Sequence, residues 1–444
     1  MTKVEKEPKL ITEIPGPIAK GFVERDTKAL ATSTKVFPVV FKSGEGVFLE
    51  DVDGNLFLDF AAGIAVANIG YNHPRYTETI YEQAKTLVHA AGQDYYNPRQ
   101  VELAEKLAEI TPGTFGKRVF LSNSGTEANE AAIKATKRAL KRPFFISTIG
   151  GFHGRTMGSL SLTASKPVHR QLYMPVMPGV VHIPYAYCYR CPYKLEYPDC
   201  GVWCGKFLEE VLFETLLPAS DVAALFIEPI QGEGGYVTPP NEFIQDLVAT
   251  CKRHGIAFAS DEIQAGIGRT GKMFGMEHYG VEPDVVTIAK AIANGIPLGA
   301  TVMREDYNFE VQGAHANTYG GNMLACAAAL ITLKIIEEER LVENAARMGE
   351  IALKRLNEWK EDYEIVGDVR GKGLMIGIEF VKDKKTKKPA KEEQSEMTKA
   401  LFKRGLVVLP AGKSLIRIVP PLIINEDELT IGLNIFEDVV KEQK

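Results

Sequence analysis

The sequence predicts an α/β protein built on a mostly parallel sheet with helices on both faces. Two observations carry that expectation. Short apolar runs recur along the middle of the chain, each closing on polar or glycine residues: "KRVFLSNSG", "FFISTIGGFHG", "VAALFIEPIQGEGG", "GIAFASDEIQAG" and "DVVTIAKA". Stretches with helical spacing fall between several of them, as in "TEANEAAIKATKRAL". Ligands in such sheets bind beyond the carboxyl ends of the strands, so the residues that close each run are where chemistry is expected.

The 444 residues are 45% hydrophobic and 25% charged, which supplies a large core and argues against disorder. At roughly 150 residues per domain, that length suggests two or three domains. A net charge of −5 leaves no electrostatic footprint for nucleic acid or an anionic membrane. The expected partners are small molecules or other protein chains. The opening "MTKVEKEPKLITEIPGPIAK" lacks the apolar centre of a secretory signal. No apolar run approaches the roughly 18 residues a membrane span needs. A soluble cytoplasmic protein is expected.

In chain order, "VFLEDVDGNLFLDFAAG" reads as strands hinged at Asp53-Gly54. "RQVELAEKLAEI" is an amphipathic helix by its spacing, and the α/β rhythm follows. A long helical pattern spans Leu324–Arg347 and crosses toward a smaller α+β unit, whose strands are "GDVRGKGLMIGIEFV" and "LIRIVPPLI". Between these, "KDKKTKKPAKEEQ" reads as a charged, solvated loop. The expected organisation is an N-terminal segment, 1–70, packing with the small domain; a large domain, 71–333; and a C-terminal small domain, 334–444.

Four of the six cysteines, Cys188, Cys191, Cys200 and Cys204, crowd into "CYRCPYKLEYPDCGVWC". The C-x2-C…C-x3-C spacing suits a zinc site, disulfides in a heat-adapted cell, or four reduced thiols. The Pro- and Tyr-rich surroundings mark an elaborated surface insert, 188–204, with a structural rather than catalytic role.

Three strand ends carry candidate chemistry. Ser124, Gly125 and Thr126 lie between a strand and a helix start, where free amides, hydroxyls and the helix dipole suit an anion. A plain N-cap explains the same residues, and the lysine of a P-loop is missing. Asp261 ends an apolar strand and needs a cationic partner, which the neighbouring sequence does not provide. Lys290 lies among apolar and small residues, so its amine must snorkel, lose its charge or be used covalently. Gly266, Gly268 and Gly271 fit G-x-G-x-x-G, but they do not join a strand directly to a helix, and dinucleotide binding is rejected. Phosphate, pyridinium and aldehyde are the three handles of pyridoxal phosphate, and the three candidates match them.

With "DVDGNLFLDFAAGI", "SNSGTEANEAAIK", "GGFHGRTMGSLS", "IEPIQGEGG", "SDEIQAGIGRTG", "AKAIANGIPLGA", "HANTYGGN" and "IRIVPPL" in this order, the sequence resembles the class III (subgroup II) aminotransferases. These are fold-type I pyridoxal-phosphate enzymes and include the 4-aminobutyrate and ornithine aminotransferases. The resemblance covers nearly the whole chain, with the Cys-rich insert as its main departure. It implies a seven-stranded, mostly parallel sheet in the large domain.

It also implies roles. Lys290 would carry the cofactor as a Schiff base and shuttle the proton. Asp261 would keep the ring nitrogen protonated, and Phe152, before His153, would stack on the ring. Gln264 would reach the ring oxygen. Ser124, Gly125 and Thr126 would hold the phosphate, joined by Thr318 of a neighbouring subunit, which implies a homodimer or larger homo-oligomer with shared active sites. Arg417 would bind the α-carboxylate of a 2-oxo acid such as 2-oxoglutarate, and Glu233 would mask it when an ω-amino acid is bound. Arg155 would hold a distal carboxylate. Glu228, at a strand end before Pro229, reads as a supporting residue, and Asp94, Tyr95 and Tyr96, on a loop, as candidates to face the substrate. No metal enters the expected active site. Amino-group transfer is the expected reaction, with racemisation of α-amino acids as the alternative on the same fold. A nicotinamide-dependent oxidoreductase would leave Lys290 unexplained, and a non-catalytic binding module would leave the whole set unexplained.

Overall fold

The computed structural model describes residues 6–35 and 37–443. Residues 1–5 and 36 of the N-terminal segment, and residue 444, lie outside it. The "DVDGN" turn organises the start of the chain. Strands Phe48–Asp51 and Leu56–Asp59 pair antiparallel around it, with Gly54 at φ +86°. Asp51 Oδ1 accepts from the amides of Asp53 and Asn55 at 3.0 and 2.8 Å. The Asp53 carboxylate in turn accepts from the Ile18 and Ala19 amides at 2.7 and 3.0 Å. It thereby caps the helix Pro17–Ala29, whose own N-cap, Gly16, has no side chain to do so.

The large sheet has seven strands, in the spatial order Lys117–Ser122, Gly299–Arg304, Val285–Ile288, Ala257–Asp261, Val222–Ile227, Phe144–Thr148 and Val180–Ile183. Only Gly299–Arg304 runs against its neighbours. The central strands are buried throughout, as a sheet covered on both faces requires. The helix Gly125–Leu140 turns Ala128, Ala131, Ala132 and Ala135 to the sheet, and these small side chains let it lie close.

A second sheet joins the two ends of the chain. Leu406–Val407 runs parallel to Leu56–Asp59, with the Leu58 and Phe60 amides donating to the carbonyls of Gly405 and Val407 at 2.8 and 2.9 Å. A third, antiparallel sheet contains Val366–Lys372, Met375–Asp383, Leu415–Ile418 and Leu409–Ala411. The prolines at 420 and 421 end the strand that carries Arg417.

Two expectations change. The pattern over Leu324–Arg347 is not one helix but parts of two, Met323–Glu338 and Leu341–Asp362, broken where Arg340 turns left-handed at φ 54°. The charged run after Val381 is not all loop. Its end starts the helix Lys391–Phe402, which buries Gln394, Met397, Thr398 and Leu401.

The glycines of "GIGRTG" have a packing role. Gly268 and Gly271 both have positive φ, and a Cβ on Gly271 would lie 2.9 Å from the Ala346 backbone. The loop they shape delivers Arg269 into the interior, where it is fully buried. Its guanidinium donates to Asn68 Oδ1 at 2.6 Å and to the carbonyls of Pro420 and Leu374 at 2.6 and 3.1 Å. One side chain thus fastens three separate segments of chain. Arg269→Met would leave those acceptors buried and unpaired, at a cost of about 3 kcal/mol or more. Thermal unfolding of the variant should start several degrees below wild type; an unchanged midpoint would contradict this bracket.

Candidate active site

The carboxyl ends of five strands of the large sheet open into one cavity of about 430 Å³. At one end, Ser124 is the N-cap of Gly125–Leu140, and its hydroxyl accepts from the Glu127 amide at 3.4 Å. The plain cap reading therefore holds. It does not displace the anion reading, because the amides of Gly125 and Thr126 fall in the unsatisfied first turn and both residues line the cavity. Two glycines keep this end open. A Cβ on Gly154 would lie 2.3 Å from Thr126 Oγ1, and one on Gly125 2.8 Å from Ile263 Cδ1.

At the other end Asp261 is buried, and its partner comes from far along the chain. Oδ2 accepts from His153 Nδ1 at 2.8 Å and from Asn129 Nδ2 at 2.9 Å, while Oδ1 accepts from the Ile263 amide at 3.1 Å. Burial pulls the His153 pKa down, but the hydrogen bond and charge of Asp261 outweigh it, and the net shift is upward. Asn129 is itself fixed, donating to the His153 carbonyl at 2.7 Å and accepting from Thr287 Oγ1 at 3.0 Å. His153 Nε2 is buried with no partner.

Lys290 follows the strand Val285–Ile288 and stands on the cavity wall in a left-handed conformation, φ 48°. Such a backbone in a non-glycine residue costs on the order of 1 kcal/mol and is characteristic of functional sites. Burial lowers the pKa of its amine despite the raising influence of Asp261 and Glu228. Glu228 is pushed up to about 7, chiefly by burial; it accepts from the Phe152 amide at 2.9 Å and the Gly232 amide at 3.0 Å. It therefore fixes the backbone under Phe152.

On the open side, the Arg155 guanidinium lies 5.6 Å from the centre of the Phe152 ring. Glu233 lines the cavity and Arg417 does not. Arg417 is buried behind it, with Nη2 3.5 Å from Glu233 Oε2 and Nε without a partner. The other carboxylate oxygen of Glu233 pairs with Lys166. Burial raises the Glu233 pKa, but the charges of Arg417 and Lys166 hold it below its ordinary value.

The structure thus gathers Ser124, Gly125, Thr126, Phe152, His153, Arg155, Glu228, Glu233, Asp261, Gln264 and Lys290 around one cavity. Thr318, Asp94, Tyr95 and Tyr96 are exposed and do not line it. Sequence reasoning missed Asn129, Lys166 and Tyr236, whose hydroxyl donates to Gln264 Oε1 at 2.7 Å. Asn129 had a readable signal, a polar residue on the buried alanine face of its helix. The four clustered cysteines carry free thiols, and no metal-binding group of His, Cys, Asp and Glu occurs among the described residues. No helix among them is long and apolar enough to cross a membrane.

Comparison with known proteins bears on what such a cavity does. The family model for class III aminotransferases matches residues 29–440. An alanine/serine racemase of Pyrococcus horikoshii is 40% identical, covering 98% of this chain and 93% of its own length. A probable 4-aminobutyrate aminotransferase of Bacillus subtilis is 38% identical over 89% and 91%, and a leucine/methionine racemase of Thermococcus litoralis 37% identical over 95% of each. Among solved structures, a Bacillus anthracis aminotransferase superposes with a TM-score of 0.88 at 32% identity, covering 96% of this chain and 98% of its own. An amine transaminase from an uncultivated Pseudomonas species, in its pyridoxal-phosphate-bound form, gives 0.85 at 33% identity over 91% and 95%.

The upward shift of His153 carries a sign. Stability from the charged imidazole on Asp261 is fully present below the unfolded value of about 6.5 and is lost as pH rises through the higher folded value. Unfolding measured across pH should show His153→Asn most destabilised relative to wild type below about pH 6.5, with the gap closing at higher pH. A gap that stays constant or widens would contradict the pairing.

Proposed function

Because the chain belongs to the class III aminotransferases, we propose that it moves an amino group from an amino acid to a 2-oxo acid. The favoured donors are ω-amino acids such as 4-aminobutyrate or ornithine, and the acceptor is 2-oxoglutarate. Pyridoxal phosphate is the cofactor. The residues present fit it. Gly154 and Gly125 leave room at a helix N-terminus suited to a phosphate, and the ion-paired Asp261 is suited to a protonated ring nitrogen. A lysine of lowered pKa suits an aldehyde.

In this reading Ser124, Gly125 and Thr126 hold the phosphate, with Thr318 contributed by a second copy of the chain. Phe152 covers a ring face and Gln264 reaches the ring oxygen. When bound, the cofactor supplies a carbonyl for the donor's amine and a ring that spreads the electrons released at the donor carbon. Asp261, held in place by His153 and Asn129, favours a protonated ring nitrogen. Lys290 Nζ, its basicity lowered by burial, takes the proton from the donor's reacting carbon and returns it one atom away. Arg155 attracts a distal carboxylate.

The observation that carries the preference for ω-amino donors is Glu233 lying over Arg417. A donor without an α-carboxylate meets a covered arginine, whereas a 2-oxo acid must uncover it and gains a bidentate partner. The racemase names among the relatives favour a second reading, return of the proton to the opposite face of the same carbon. Glu233 is poorly suited to supply that proton, because its two cations keep it ionised.

Incubating the holoenzyme with 2-oxoglutarate and each of a panel of amino acids, with products resolved by chiral chromatography, separates the readings. Glutamate formed in step with donor loss is expected, fastest with an ω-amino acid. Appearance of the opposite enantiomer without glutamate would overturn amino-group transfer in favour of racemisation.

A further inference from the structure

Glu233 is held by two cations, and only one of them has a place in the reading above. Its backbone is fixed, since its carbonyl accepts from the Gly412 amide at 3.0 Å. With the Glu233 backbone held, its carboxylate uncovers Arg417 by a movement of the Glu233 side chain. A carboxylate that leaves its buried arginine for a site without a partner is strongly disfavoured. Lys166 removes that obstacle, because its ammonium already engages the other oxygen, Oε1.

Lys166 is well anchored for the task. It follows a return of the chain in which the Ala164 amide donates to the Gly151 carbonyl at 2.8 Å and the Gly150 amide to the Ala164 carbonyl at 3.0 Å. This is the turn that leads into Phe152 and His153. The Lys166 side chain is 33% exposed and that of Arg417 8% exposed, so Glu233 bridges a hydrated cation and a buried one. Near Glu233, His169 is held below its ordinary pKa chiefly by burial and by Arg155, while Arg155 and Lys290 line the cavity itself; Lys166 is the cation paired with Glu233 Oε1.

We propose that Lys166 is a positioning residue for the acceptor: it retains Glu233 when an incoming α-carboxylate takes Arg417. This rests on Arg417 being the α-carboxylate site of the reading above. Without Lys166, Glu233 would bind Arg417 alone and more tightly, and an acid would have to displace it with no alternative partner on offer. The effect passes entirely through Glu233, and that makes it separable from direct contact between Lys166 and the ligand.

The test is the affinity of the holoenzyme for glutarate, an unreactive dicarboxylate, measured by calorimetry on wild type, Lys166→Met, Lys166→Arg, Glu233→Gln and the Lys166→Met/Glu233→Gln pair. The absorption band of the bound cofactor controls for folding and loading in each. Lys166→Met should weaken glutarate by about tenfold, Lys166→Arg should restore most of it, and Lys166→Met should change nothing once Glu233 is glutamine. Equal affinity in wild type and Lys166→Met would overturn the proposal. So would a loss that persists in the Glu233→Gln background, since Lys166 would then touch the ligand itself. Both readouts are of binding, so they stand apart from whether wild type forms glutamate, which tests the transfer reaction.

Discussion

A carboxylate at the end of a central, fully covered strand is unstable unless charge is brought to it, and the site is arranged around that requirement. Asp261 draws His153 from the loop after one strand and Asn129 from the helix after another, while its own chain adds the Ile263 amide. Three segments distant in sequence are thereby tied together at one point. Phe152 and Gly154 flank His153, and Gly125 begins the helix of Asn129, so the same pairing sets the place of several residues on the cavity wall. Lys290, just past the neighbouring strand, then sits close enough to Asp261 and Glu228 to feel their charge, yet burial still keeps its amine below its ordinary basicity.

The opposite side of the cavity obeys a different constraint. Here three charges stand in a row: a buried arginine, a carboxylate over it and a partly exposed lysine beyond. Neither end of that chain is an isolated ion pair on a surface, where such contacts contribute little. If, as proposed, the site takes molecules with and without an α-carboxylate, one arginine can serve both only when its cover can leave at low cost.

The residues legible in the sequence were those whose surroundings were local. Asp261, Lys290 and Ser124 stand out because each interrupts or closes an apolar run, and strand ends are where such sheets bind ligands. His153 and Asp261 are individually conspicuous, but nothing in a linear chain announces a contact across more than a hundred residues. Lys166 gave no signal at all, since a lysine beside a proline reads as solvated. The break at Arg340 was equally silent: no glycine or proline marks it, and the charged "EEER" suits the surface of one helix as well as the gap between two. Conversely "GIGRTG" offered a false signal, a cofactor-like glycine spacing that serves instead to seat Arg269. The charged run near residue 390 misled because its lysines and glutamates hide a helix face set by Gln394, Met397 and Leu401.

Everything chemical in this account turns on the Lys290 amine being the group that engages the cofactor. Reducing the holoenzyme with borohydride and mapping its peptides by mass spectrometry tests that directly. A pyridoxyl adduct confined to the peptide containing Lys290 is the predicted result. An adduct on another lysine, or cofactor that dialyses away from the reduced protein, would contradict it.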